Sequence, residues 1–464
     1  METTIGWFKP LRPFAFLGAT VALTCATVPQ LVAAPQARAE TTLERAHEGV
    51  SSCGGSTCHG RQARGGPNIW HDELKAWQDV GPAGAHSRAW KVLTQPRAQA
   101  IAKRLGLGPA QNARECLGCH ADQTATSPPA MKFHVEDGVG CEACHGGSSD
   151  WIASHYTVGA THEDNVAHGM TRLDDPGTRA RVCLNCHFSG QGAEQFITHR
   201  IMAAGHPRLS FELDLFSDRQ RHYDIDKDYV GRKQAPGAVK TWAVGQAAAV
   251  DRALTLYSDD RRSQAGAFPE FYFFDCRSCH RQFSDDASER PSAMPNPGRP
   301  IPAGIPPFND ENMIVLSAAA RVAAPDLARR FESDSRAFHA ALASDRPSAV
   351  QAAGRLAGTA RELQAALAAR SFARDDAFRI LDDLLSGPSL DRYTDYQGGA
   401  QAVMAVDTLL HALVAAGQLD GGREAGIRRD LNRAYQAVED PNGYRPADFR
   451  QSMQRVAFAV RSAR

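Results

Sequence analysis

Ten of the chain's eleven cysteines fall into five close pairs, and a histidine follows the second cysteine of every pair. The pairs are Cys53-Gly-Gly-Ser-Thr-Cys58-His59, Cys116-Leu-Gly-Cys119-His120, Cys141-Glu-Ala-Cys144-His145, Cys183-Leu-Asn-Cys186-His187 and Cys276-Arg-Ser-Cys279-His280. Two thiols at a short, fixed separation can add to the two vinyl groups of one porphyrin. The next residue then lies under the iron and offers an imidazole. Four pairs have the Cys-x-x-Cys-His spacing of c-type haem attachment. The first has four residues between its cysteines, a longer loop that still reaches both vinyls. The pattern predicts five covalently attached haem c groups. Cys53, Cys58, Cys116, Cys119, Cys141, Cys144, Cys183, Cys186, Cys276 and Cys279 are the attachment residues. His59, His120, His145, His187 and His280 are the proximal iron ligands.

Two other chemistries use paired cysteines. An even set in an exported chain suits a disulfide framework, and neighbouring Cys-x-x-Cys pairs suit zinc. Neither explains a histidine after every pair. Histidine makes up 17 of 464 residues. Five chance placements therefore have odds on the order of one in ten million.

Twelve further histidines remain, and ten lie between residues 40 and 280: His47, His71, His86, His134, His155, His162, His168, His199, His206 and His222. Their concentration around the motifs predicts distal ligands and six-coordinate bis-imidazole irons. Methionine is the other common distal ligand, but that region offers only Met131, Met170 and Met202. In order of preference the distal candidates are His86, His155 and His206, then His199 and His47, then His222 and His162. His71, His134 and His168 read as structural or exposed, as do His339 and His411 further on.

Three stretches carry a family resemblance. Gly138-Val-Gly-Cys141-Glu-Ala-Cys144-His145-Gly, Cys183-Leu-Asn-Cys186-His187-Phe and Ala203-Ala-Gly-His206-Pro-Arg-Leu-Ser-Phe-Glu-Leu213 resemble the multihaem cytochromes grouped with cytochrome c-554. That group is related in haem arrangement to hydroxylamine oxidoreductase and pentahaem nitrite reductase. The resemblance implies closely packed haem pairs in a mainly helical, loop-rich domain that carries electrons in the periplasm. This chain departs from the tetrahaem type in its fifth motif, its widened first motif and a long C-terminal region. Every motif ends in histidine, so the lysine-ligated motif of the nitrite reductases is missing.

The elements that must position these residues divide the chain. Lys9 and Arg12 precede an apolar run from Phe14 to Val28, and Ala37-Arg38-Ala39 offers a cleavage site before Glu40. Residues 1–39 read as a secretory signal peptide, with Cys25 inside it, and the expected location is periplasmic or secreted. No membrane span is expected after cleavage. Residues 40–290 read as a multihaem cytochrome c domain: short helices ending at the motifs, long Gly- and Pro-containing connections, and one longer helix over Val239–Tyr257. Residues 291–307 hold seven prolines and read as a linker or strap. Residues 308–464 turn to Ala, Leu and Arg. Ala353, Leu356, Ala360, Leu363 and Leu367 step by three and four, as do Phe449, Met453, Val456 and Val460. Pro347 suits a first helical turn, and Ser386-Gly387-Pro388, Gly417 and Asp440-Pro441 read as stops. The fold class expected is mainly α: a loop-rich multihaem domain followed by an antiparallel bundle of about six helices.

Lys plus Arg and Asp plus Glu both number 52, which gives no reason to expect a nucleic-acid partner. The histidine surplus favours an electron carrier between redox partner proteins. The alternative is an oxidoreductase acting on a small nitrogen or sulfur compound at a haem with an open distal position. A haem-bearing structural or sensor module is a third class, without any signalling signature to support it.

Overall fold

The computed structural model describes residues 45–464 apart from 65–69, 123–129, 191, 193, 264–269, 281–295, 297 and 303–304. The leader segment 1–39, with Cys25, lies outside the described residues. Among those described the fold is mainly α, with no named strand and one isolated bridge between Phe274 and Phe308.

Up to residue 237 the helices are short, the longest being Pro96–Leu105. Proline opens some of them, at Pro96 and Pro176, and left-handed glycine ends some, at Gly106 and Gly146. The motifs sit on these helix ends. Arg114–His120 carries the second and Glu142–His145 the third. Pro176–Leu184 runs into a wider, π-type turn, Asn185–Ser189, which holds Cys186 and His187. Gly146, at φ 81°, turns the chain away directly after His145.

The longer helix expected over Val239–Tyr257 is Ala238–Ser258. It is buried all round from Thr241 to Val250, as a helix at the middle of a core must be. Its small residues let neighbours close in. A Cβ on Gly245 would stand 2.7 Å from Leu213 Cβ. This central helix packs on Pro176–Leu184 and Leu213–Arg219 from the motif-bearing part, and on Glu311–Ala323, Arg346–Ala369 and Tyr396–Ala415 from the C-terminal part. One apolar cluster joins Trp242, Leu254 and Phe273 to Phe308, Phe338, Leu356 and Leu409.

The C-terminal part has eight helical segments against about six expected, one of them the four-residue Gly387–Leu390. Pro325–Leu342 and Arg346–Ala369 pack together across a three-residue connection, which makes them antiparallel. The described part of the proline-rich stretch is strapped down. The buried Arg299 lies 2.8 Å from Asp395 and 3.5 Å from Asp310, and Asn296 donates to the Arg392 carbonyl at 3.0 Å. Among the described residues one helix, Tyr396–Ala415, is long and apolar enough to cross a bilayer. It is the buried centre of this bundle, with Leu409, Leu410 and Leu413 fully enclosed.

Candidate haem sites

Metal–imidazole bonds of about 2.0 Å and ring radii of about 1.15 Å put the centroids of two trans imidazoles about 6.3 Å apart on one iron. Both ring planes contain the axis through the iron, so the angle between them is free. Every motif histidine has a histidine at this separation. His187 lies 5.8 Å from His86, His280 6.0 Å from His199, His145 6.2 Å from His222, and His120 6.4 Å from His206. His59 has two such neighbours, His155 at 6.3 Å and His71 at 6.4 Å.

The hydrogen bonds leave the correct nitrogen free. A ligand histidine normally donates Nδ1–H to a carbonyl or carboxylate and binds metal through Nε2. His120 donates Nδ1 to the Ala89 carbonyl at 2.9 Å, His155 to Ile152 at 2.6 Å, His206 to Pro207 at 2.7 Å and His222 to Gln220 at 3.1 Å. His59 instead faces the Glu73 carboxylate at 3.0 Å, and that hydrogen bond raises its pKa. Burial pushes His145 down to about 3 and His187 to about 4, so both are neutral and ready to ligate.

Two distal candidates stand apart from these pairs. His162 spends Nε2 on Asp174 at 3.0 Å, deep in the structure, where Asp174 also accepts the Gln234 amide. His47 turns Nδ1 to Asp122 at 3.1 Å and packs edge-on against Phe133. In their place the structure brings His71, read from sequence as structural, to His59. His134 and His168 are exposed, and His168 bonds its own helix through Asp164. His339 is fully buried and donates to the Ser335 carbonyl at 2.8 Å, an ordinary core arrangement.

Hydrogen bonds to side chains anchor several of the motifs. The buried carboxylate of Glu142, inside the third motif, accepts the amides of Glu48, Gly49 and Ser148 at 2.8–2.9 Å. It thereby staples that motif to the segment leading into the first. Glu270 accepts the amides of His199 at 2.7 Å and Tyr272 at 3.0 Å, tying a distal candidate to the approach of the fifth motif. Asp275 caps that motif through Arg277 and Ser278. Arg252, on the central helix, donates to Asn185 and to the Ser189 carbonyl at 2.9 and 2.8 Å, holding both ends of the fourth motif's turn. Sequence reasoning missed all of these. Only Glu142 carried a signal, as a charged residue inside a motif.

The motifs also touch. Cys53 and Cys141 are near enough to perturb each other's thiols, as are Cys119 and Cys186. Cys144 feels Cys183 and Cys186. A Cβ on Gly118, in the second motif, would be 2.4 Å from the Glu194 carbonyl, so glycine permits that approach. His199 and His206 ride on one short stretch, and therefore link the fifth motif's surroundings to the second's.

The competing chemistries fit less well. All ten described cysteines are free thiols. Burial pushes Cys144 up to about 12 and Cys183 to about 11. Among the described residues no three metal-ligating side chains gather on one point. Paired imidazoles beside paired thiols fit haem.

The comparisons agree. A family model described as "Cytochrome c554 and c-prime" matches residues 52–146, which take in the first three motifs. With the motifs, this supports a c-type cytochrome, a class that binds haem c covalently. Within that class the chain resembles the cytochrome c-554 family. It is 26% identical over 160 residues to cytochrome c-554 of Nitrosomonas europaea, an alignment covering 32% of this chain and 59% of that protein's length. No solved structure matches the chain.

Proposed function

We propose that the chain is a five-haem, exported electron carrier with bis-histidine irons. The observation behind this reading is the pairing itself: each of the five motif histidines has a second imidazole 5.8–6.4 Å away. Bound haem would supply the one-electron ferric/ferrous couple. The chain's own residues do the rest. His86, His199, His206, His222 and one of His71 and His155 close the distal positions opposite His187, His280, His120, His145 and His59. The cysteine pairs fix the porphyrin edges. Buried carboxylates and backbone carbonyls orient the rings, so ligand geometry changes little between oxidation states.

The neighbouring thiols support a spatial order of first, third, fourth and second motif, and the stretch that carries both His199 and His206 adds the fifth beside the second. Electrons would enter and leave at the ends, near Cys58 and Cys279, the two exposed cysteines of the set. Redox proteins are the partners this implies. The N-terminal leader pattern supports a periplasmic location. The division into 40–290, 291–307 and 308–464 belongs to the same reading, with the bundle bracing the fourth motif through the central helix.

The test is haem stoichiometry with spin state. Matured protein should carry five haems per chain, all low-spin, and should bind neither carbon monoxide nor cyanide. A stoichiometry of four, or a high-spin iron in the resting protein, refutes the reading. High-spin iron would favour an oxidoreductase working at an open haem.

A further inference from the structure

The motif that departs in sequence also departs in its surroundings. Four of the motif histidines face one partner imidazole, whereas His59 faces two, His155 at 6.3 Å and His71 at 6.4 Å. Only one imidazole can lie trans to His59, so one of the two is surplus at any moment. We infer that His71 and His155 are interchangeable distal ligands at the Cys53–Cys58 site, which makes it a ligand-exchange centre; this rests on the haem reading above.

The two candidates are held differently. His155 is anchored: Nδ1 donates to Ile152 at 2.6 Å and the ring packs edge-on against Trp151 at 5.5 Å. His71 is held under strain. Among the described residues it is the one non-glycine with positive φ, at 58°, a conformation that costs of order 1 kcal/mol or more. Its Nδ1 is buried and has no hydrogen-bond partner among the described residues, whereas a carbonyl fixes the rings of His120, His155, His206 and His222. Its backbone carbonyl accepts the Arg61 amide at 2.7 Å, and the His59 carbonyl accepts the Leu74 amide at 3.0 Å. These bonds keep the strained residue beside the motif while leaving its ring loose. Strain over-determined by surroundings is how a site stores two states of similar energy.

Two features would ease the exchange. The four-residue loop between Cys53 and Cys58 would hold a haem less tightly than the two-residue loops elsewhere. Glu73, on His59 Nδ1, would make His59 the stronger donor to that haem. In the exchange one imidazole would take the place of the other in holding the haem through Nε2, with no electron or proton gained or lost.

The experiment uses fully matured protein with haem counted in every sample. His71→Ala and His155→Ala should each keep five haems, all low-spin and closed to carbon monoxide, because the remaining histidine takes the position. The double variant should turn one haem in five high-spin and bind one equivalent of carbon monoxide when reduced. A single variant that alone gives a high-spin iron shows a fixed ligand and overturns the inference. A double variant that stays fully low-spin overturns it too. The unmodified protein gives a check free of folding effects: low-temperature electron paramagnetic resonance should resolve two low-spin signals that together account for one haem, and one signal per haem refutes exchange. Four haems in the unmodified protein would instead sink the reading of the first motif, a different failure.

Discussion

Replacing Glu73 by glutamine should raise one reduction potential and leave the others alone. The carboxylate lies 3.0 Å from Nδ1 of His59. Across the ring and one metal bond it is about 7 Å from where the iron must sit. At an effective dielectric constant of about 20, a unit charge at that distance favours the ferric state by about 2 kcal/mol. Each 1.36 kcal/mol is a tenfold change, and about 59 mV for one electron, so the shift is about 100 mV. The sign follows from charge: removing an anion makes the ferrous state easier to reach, and the potential goes up. Glutamine keeps the side-chain length and still accepts the Nδ1–H, so ligation survives. The assay is a spectroelectrochemical titration resolved into components. One component should move upward by about 100 mV, most of it persisting at about 0.15 M salt, where the screening length of about 8 Å exceeds the separation. No shift, a downward shift, or equal movement of every component would refute the argument that this carboxylate acts through His59.

Three further outcomes follow from the same structure. His206→Met should keep the second motif's iron low-spin while raising its potential by on the order of 0.1 V, read in the same titration, because a thioether stabilises ferrous iron better than imidazole does. Glu142→Ala strands the amides of Glu48, Gly49 and Ser148 and should cost about 3 kcal/mol or more, seen as a lower denaturation midpoint at unchanged haem content. Burial, with Asp214 adding to it, pushes Glu212 up to about 7 from 4.5. An acid whose folded pKa is raised stabilises fully below its unfolded pKa and loses that contribution as pH climbs through the folded one. Unfolding free energy should therefore fall by about 3 kcal/mol from this group between pH 4.5 and 7, and Glu212→Gln should flatten that slope.

The sequence made some of this legible and hid the rest for physical reasons. Attachment chemistry is local, so five motifs could be read directly from residues within seven positions of one another. Helix periodicity is also local, and Val239–Tyr257 was found to within a residue at each end. Distal ligation is not local. His222 faces His145 across 77 residues and His86 faces His187 across 101, and no spacing rule connects them. The rings of His86, His155, His206 and His199 each lie beside a motif imidazole, whereas His47 and His162 turn to Asp122 and Asp174. Buried carboxylate partners of that kind leave no periodic trace. Nothing in Trp70-His71-Asp72 announces a left-handed residue; only the packed structure imposes one.

The central helix explains why a bundle without cysteine accompanies the motif-bearing segment. Short helices ended by glycine and separated by loops bury little surface, and cannot alone hold ring pairs at a fixed separation. Arg252 carries the bundle's rigidity into the fourth motif, through Asn185 and Ser189. Gln401 donates to Gln246 at 3.1 Å, and Thr408 to Glu212 at 2.6 Å, which in turn caps Leu213–Arg219 beside Phe211 and Phe216. Those two rings pack on His187, at 4.9 and 5.7 Å. The chain of contacts therefore runs from the bundle's innermost helix to a motif imidazole in three steps, the first of them buried. Low reorganisation at an iron needs ligands that keep their places when charge changes. Here, that stiffness is supplied from more than 200 residues downstream of the histidine it restrains.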